Sequence, residues 1–194
     1  MLNNQLLLAE KKWIHSVEQY VGQRMAGTWL PSHDLNHHRR VWKNASQMAV
    51  WLNLPHACFY EKLLLACYFH DLGLFFDPSP QHGKLSREWC SRFLNENTES
   101  LHFDPSDVLE AIEHHDDKEY KRKSSKNLVY RILALADDLD AFGAVGVYRY
   151  AEIYLLRGLL CRHIPGKVLE NASGRYRNYQ ATANLLGIRN DSVH

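Results

Sequence analysis

The 194-residue chain is short of the signals that mark most structural classes. Its four cysteines, Cys58, Cys67, Cys90 and Cys161, include no close pair, which excludes zinc-thiolate and dithiol redox motifs and leaves buried thiols. No stretch approaches the roughly 20 uninterrupted apolar residues of a membrane span. Met1-Leu2-Asn3-Asn4 lacks the basic start of a signal peptide, so a reducing cytoplasm and no membrane partner are expected. Charge of one sign is also missing. A formal net charge of +1 gives no long-range attraction for nucleic acid, and no stable nucleic-acid partner is expected, although local basic clusters can meet a phosphate-bearing small molecule. Alternating apolar and polar runs closed by hairpin dipeptides are absent, which leaves little room for a sheet.

What is present is helical periodicity, in a chain whose 45% hydrophobic content is ample for one core. Leu6, Trp13, Ile14, Val17, Val21 and Met25 recur at three- and four-residue steps and predict a first helix that ends near Gly22 and Gly27. Leu35, His38, Val41, Ala45, Met48, Ala49 and Leu52 predict a second, with Asp34 as its N-cap. Pro55 fits the first turn of a third that runs to Asp71, and a fourth spans about 81–97. A fifth starts at Asp104-Pro105 and ends in His114-His115, and the polar stretch 116–126 reads as a solvated loop. A sixth covers about 128–142 and a seventh runs from Gly143 to about 160; beyond Pro165 only a short helix within 175–186 is expected. The fold class is all-α, without repeats or a linker.

The third segment reads Leu63 Leu64 Leu65 Ala66 Cys67 Tyr68 Phe69 His70 Asp71 Leu72 Gly73. An imidazole beside a carboxylate stands where a helix should bury hydrocarbon, and burying that pair uncompensated is costly. The segments 33–41, His114-His115 and 136–143 bring further histidines and aspartates to the edges of apolar helices. The most economical reading is one shared cation and a metal-dependent hydrolase. Neighbours on a helix lie about 100° apart, so His70 and Asp71 reach one ion only near a helix end, which Gly73 supplies. Imidazoles and carboxylates suit manganese, iron, nickel, cobalt, zinc or magnesium without fixing the element.

Taken in order, Asn36 His37 His38 Arg39 Arg40 Val41, then His70-Asp71, then Ala136 Asp137 Asp138 Leu139 Asp140 Ala141 Phe142 Gly143 resemble the HD superfamily of metal-dependent phosphohydrolases. In particular the chain resembles small bacterial HD-domain hydrolases that carry His-x-x-Arg-Val and Ala-Asp-x-Leu-Asp-Ala-x-Gly-Ala segments, over about 33–149. The resemblance implies a compact helical bundle of the HD-domain type over 1–194, with a core at about 28–160 and a helical extension at 161–194. It implies a divalent metal held by His37, His70, Asp71 and Asp137, and hydrolysis of a phosphate ester or anhydride, of a nucleotide or similar small molecule. In relatives with a larger site, a His after the doublet and a later His pair complete it. His82, His114 and His115 stand in those places, with His82 and His115 as catalytic proton donors or ligands of a second ion and His114 facing the substrate. Asp71 is expected to orient the attacking water, and Arg149 and Lys84 to contact phosphate.

Other readings accompany these. His33 and His38 are expected to be a loop residue and a helix-face neighbour, Asp138 to face solvent, and Asp140 to hold a neighbouring donor. Arg40 suits a buried ion pair. Trp29, Trp51 and Tyr148 are candidates for a homodimer surface. Asp116-Asp117-Lys118 after the His pair departs from the cyclic-dinucleotide phosphodiesterases, and Leu72 Gly73 Leu74 after the doublet departs from the alarmone hydrolases. A di-iron oxygenase on the same fold and a catalytically silent ligand-binding regulatory module are the alternatives.

Overall fold

The computed structural model describes residues 2–54, 57–116 and 126–188. The expected helix start at Pro55 and most of the polar 116–126 stretch lie outside the described residues. Among the described residues eight α-helices follow in order: α1 Leu2–Met25, α2 Leu35–Trp51, α3 Ala57–Phe69, α4 His82–Glu96, α5 Ser106–His114, α6 Leu128–Asp140, α7 Gly143–Leu156 and α8 Ile164–Leu186. Short 3-10 turns occupy Leu72–Phe75, Thr98–Ser100 and Cys161–His163, and no strand occurs among the described residues. The all-α class is as expected.

α3 is the axis of the bundle because its second half, from Leu63 to Phe69, carries no charged residue to give to water. Tyr60 and every residue from Leu63 to Phe69 are buried, and α1, α2, α5 and α6 pack around it. Each fully buried Leu or Phe on it contributes about 1.5–3 kcal/mol of transfer free energy. The polar end of α3 therefore emerges in the middle of the molecule, where His70 and Asp71 are enclosed.

Two helices differ from the sequence expectation. α7 stops at Leu156, about one turn early, because Gly158 adopts the left-handed backbone (φ 77°) that an α-helix excludes. The C-terminal helix is 23 residues long and begins with Pro165 in its first turn. Its buried residues, Val168, Asn178, Tyr179, Thr182 and Ala183, are too sparse and too polar to show a clear apolar period, yet they dock the helix on α6 and α7. Trp29, Trp51 and Tyr148 are exposed.

Candidate metal centre

Each element that carries a polar side chain into the core is shaped by a local device. Asp34 caps α2, accepting from the backbone N–H of Asn36 at 3.0 Å and His37 at 3.1 Å, and so sets His37 in the first turn. α3 gives way at Asp71 to the 72–75 turn, which lets neighbouring residues aim at one centre from a helix end. Gly73 makes that turn possible: a Cβ there would collide with the His82 carbonyl and the Ser86 backbone, and its N–H donates to Ser86 Oγ at 2.8 Å. Gly83 does the same for α4 and α5, since a Cβ there would strike the Glu113 carbonyl. These close approaches bring His82 and His115 up to the doublet.

In the resulting cluster all four imidazoles have Nδ1 committed as a donor to an acceptor-only group. His37 Nδ1 meets Asp140 Oδ2 at 2.8 Å, His70 Nδ1 the Cys67 carbonyl at 2.8 Å, His82 Nδ1 the Ser79 carbonyl at 3.0 Å and His115 Nδ1 the Ile112 carbonyl at 2.7 Å. When neutral, rings held this way present their Nε2 lone pairs. These converge in two pairs: His37 Nε2 lies 3.1 Å from His70 Nε2, and His82 Nε2 3.1 Å from His115 Nε2. Two lone pairs at that distance cannot hydrogen bond to each other, and a cation between them resolves the conflict.

Asp71 stands between the pairs. Its Oδ2 is 3.3 Å from His37 Nε2 and 3.4 Å from His70 Nε2, while Oδ1 is 3.2 Å from His82 Nε2 and 2.9 Å from His115 Nε2. Asp137 Oδ1 closes the first group at 3.8 and 3.9 Å from His37 and His70. One ligand atom from each of His37, His70, Asp71 and Asp137 fits within 4.8 Å, and so does one from each of Asp71, His82 and His115. Two imidazoles with two carboxylates form a donor set that divalent ions accept, and its composition leaves the element open.

With these groups aligned in chain order, the sequence profile of the HD domain family matches residues 34–141, more than half of the chain. The chain belongs to the HD domain family. No curated protein and no solved structure matches it significantly. The matched region ends at Ala141, so α7 and α8, which complete the HD site here, lie beyond it.

Arginines from those two helices balance the carboxylates. Arg149 Nη2 lies 2.9 Å from Asp137 Oδ1, 3.2 Å from His37 Nε2 and 3.6 Å from Asp71 Oδ2. Arg175 Nη1 donates to Asp137 Oδ2 at 2.8 Å and Asp138 Oδ1 at 3.0 Å. Burial by itself would raise the Asp137 carboxyl, but these two guanidiniums hold it well below the usual carboxylate range. Asp140 accepts from His37 and twice from Arg40, at 2.6 and 3.0 Å, which outweighs burial and lowers it to about 2. It is thus the acceptor that orients His37.

Four residues sit differently from where the sequence reading alone would put them. Lys84 is exposed and lines a separate surface groove with Arg87 and Glu113; it lies two residues, about 200° of helix, from His82, so the two face opposite ways. His114 closes α5 half-buried and does not line the cleft, because its neighbour His115 takes the inward position. Asp138 is buried between Arg175 and Asn178 Nδ2 (3.2 Å) instead of facing solvent, since α8 covers it; burial pushes it up to about 7 against the pull of Arg175. His33 is buried and lines the cleft, held through Nδ1 by Glu152 Oε2 at 3.1 Å and Ser32 Oγ at 2.9 Å.

The lining of the cleft in front of the cluster also includes Leu74, Tyr150, Ile153, Tyr154, Arg157 and Arg175. Of these, only the long C-terminal helix that bears Arg175 left a sequence signal, Pro165 at a helix start.

Proposed function

We propose that this HD-domain protein is a metal-dependent phosphohydrolase that cleaves an ester or anhydride of a small phosphorylated molecule, of the nucleotide class, and that Asp71 and the imidazole pairs on either side of it would hold the divalent metal. The observation that carries the reading is the pair of Nε2–Nε2 approaches at 3.1 Å on either side of that carboxylate. His37, His70, Asp71 and Asp137 would hold one ion, and His82 and His115, with the other Asp71 oxygen, the second. A divalent ion supplies a water whose pKa falls to about 7 and polarises a phosphoryl oxygen.

The remaining work falls to the chain. Asp140 and the carbonyls of Cys67, Ser79 and Ile112 hold each Nδ1, so the rings turn Nε2 toward the centre of the cluster. Arg149 brings a planar guanidinium among the donors, where it neutralises phosphate charge, and its buried Nε has no partner of its own.

Elemental analysis of freshly purified protein, followed by a nucleotide and phosphate-ester panel with manganese, cobalt, magnesium and nickel, tests the reading. About two metal equivalents per chain and phosphate release abolished by a chelator are expected. Retention of no metal together with turnover of no phosphate compound rules it out. The six-donor set of four imidazoles and two carboxylates also supports a second reading, a di-iron oxygenase, which two irons per chain with oxygen consumption and no phosphate release would favour.

A further inference from the structure

The wall of the cleft formed by α7 holds donors that the metal-facing cluster does not use. Tyr150 and Tyr154, one turn apart, both line the cleft, retain only 8% and 7% of their exposure, and carry hydroxyls without a hydrogen-bond partner among the described residues. Burying an unsatisfied hydroxyl costs about 1–3 kcal/mol, so two on one wall mark a demand that a ligand would meet. Their rings are nearly parallel, 12° apart in plane with centroids 6.2 Å apart. That spacing is too tight for a slot that grips a base between them, which needs about 7 Å for two layers of contact.

Arg157 follows at the end of the same helix face. Its Nε is tied to the Pro78 carbonyl at 2.6 Å, which anchors the guanidinium, and its Nη groups make no hydrogen bond among the described residues. Arg175 stands 5.8 Å from the Tyr150 ring and joins this wall to Asp137. The acid that lines this side, Asp116, lies 3.7 Å from Arg175 Nη2. Burial pushes the Tyr150 hydroxyl up to about 12 and raises that of Tyr154, so both remain protonated donors at neutral pH. Two hydroxyl donors and a tethered guanidinium suit an anion with several oxygens.

We infer that Tyr150, Tyr154 and Arg157 form an anion subsite for a second phosphate group, so that the protein selects polyphosphate-bearing molecules over lone phosphomonoesters. The inference rests on the hydrolytic reading above, but its residues lie outside both the metal-facing cluster and the matched 34–141 region.

Calorimetric titration of inorganic tripolyphosphate and of inorganic phosphate into the protein as purified, in excess magnesium, provides the test. Tripolyphosphate should bind at least about tenfold more tightly than phosphate, and the Tyr150→Phe/Tyr154→Phe and Arg157→Gln variants should each lose at least about fivefold of that affinity. Phenylalanine preserves the ring packing, and unchanged melting curves verify the fold. In turnover, the ratio of kcat/KM for a nucleoside triphosphate to that for p-nitrophenyl phosphate should fall about tenfold in the double variant. Folded variants with unaltered tripolyphosphate affinity and an unaltered ratio overturn the subsite while leaving hydrolysis standing. Tyrosine-dependent tripolyphosphate binding in a protein that hydrolyses nothing supports the subsite and overturns the hydrolytic reading alone.

Discussion

Arg175 Nη1, on the last helix, lies 2.8 Å from Asp137 Oδ2, on the carboxylate whose other oxygen faces the imidazoles of His37 and His70. One side chain therefore joins the stability of α8 to the charge balance of the metal centre. Replacing Arg175 with Met leaves Asp137 and Asp138 buried with less compensation and should cost about 3 kcal/mol in urea denaturation. Adding Asp138→Asn should recover part of that loss, because it removes one of the stranded acids. Additive losses in the double variant would show that the two do not act as a pair.

Asp71 touches both imidazole pairs, so Asp71→Asn should lower turnover at least about 100-fold and reduce the metal retained on purification. Far-ultraviolet circular dichroism should stay unchanged, since Asn keeps the volume. Retained activity in a metal-stripped or Asp71-substituted protein would refute the assignment.

Gly73→Ala should destabilise by about 1–3 kcal/mol, because the new methyl collides with backbone of α4. Gly166→Ala is the contrast: its added Cβ meets nothing within 4 Å in α8, and the helix should gain about 0.5–1 kcal/mol. Thermal denaturation of the two variants reads both signs.

Lys84→Ala should leave kcat/KM within about twofold, as expected for an exposed side chain outside the cleft. A larger loss in steady-state kinetics would return Lys84 to the substrate.

Glu18 accepts from Arg39 Nε at 2.8 Å and Nη2 at 2.7 Å and from the Tyr68 hydroxyl at 2.8 Å, and the Arg39 hydrogen bond, against burial, lowers its carboxyl from the usual value. A depressed folded pKa contributes stability above the unfolded pKa of about 4.3 and loses it as pH falls through the folded value. Glu18→Gln should therefore cost about 1 kcal/mol at pH 7, a modest figure because the arginine is half exposed, and the gap to the unsubstituted protein should narrow below about pH 4. Urea denaturation at pH 7 and pH 4 measures the difference.

His37, His70, Asp71 and Asp137 were legible because each sits at the edge of an apolar helix, where an ionisable group has no packing reason to be. Asp34 as a cap and the stop at Gly73 were legible for the same local reason, since caps and breaks depend on a few neighbouring residues. The placement of Lys84 and His114 outside the cleft lining was not legible, because proximity along the chain says nothing about azimuth: one or two positions on a helix turn a side chain away. His33, Tyr150, Tyr154, Arg157 and Arg175 could not be placed from periodicity, because each has meaning only against partners far along the chain, as Glu152 has for His33 across 119 positions.

The amino-acid order alone determined the all-helical class, the apolar α3 and the residue types that could hold a cation, because helix period, capping and the cost of burying charge act over a few residues. Tertiary packing decided which imidazole nitrogens face one another, that Asp71 stands between two pairs, and that α7 and α8 close the cleft with arginines and tyrosines. Those outcomes depend on backbone approaches such as Gly73 against α4 and Gly83 against α5, which exist only once distant helices are in contact.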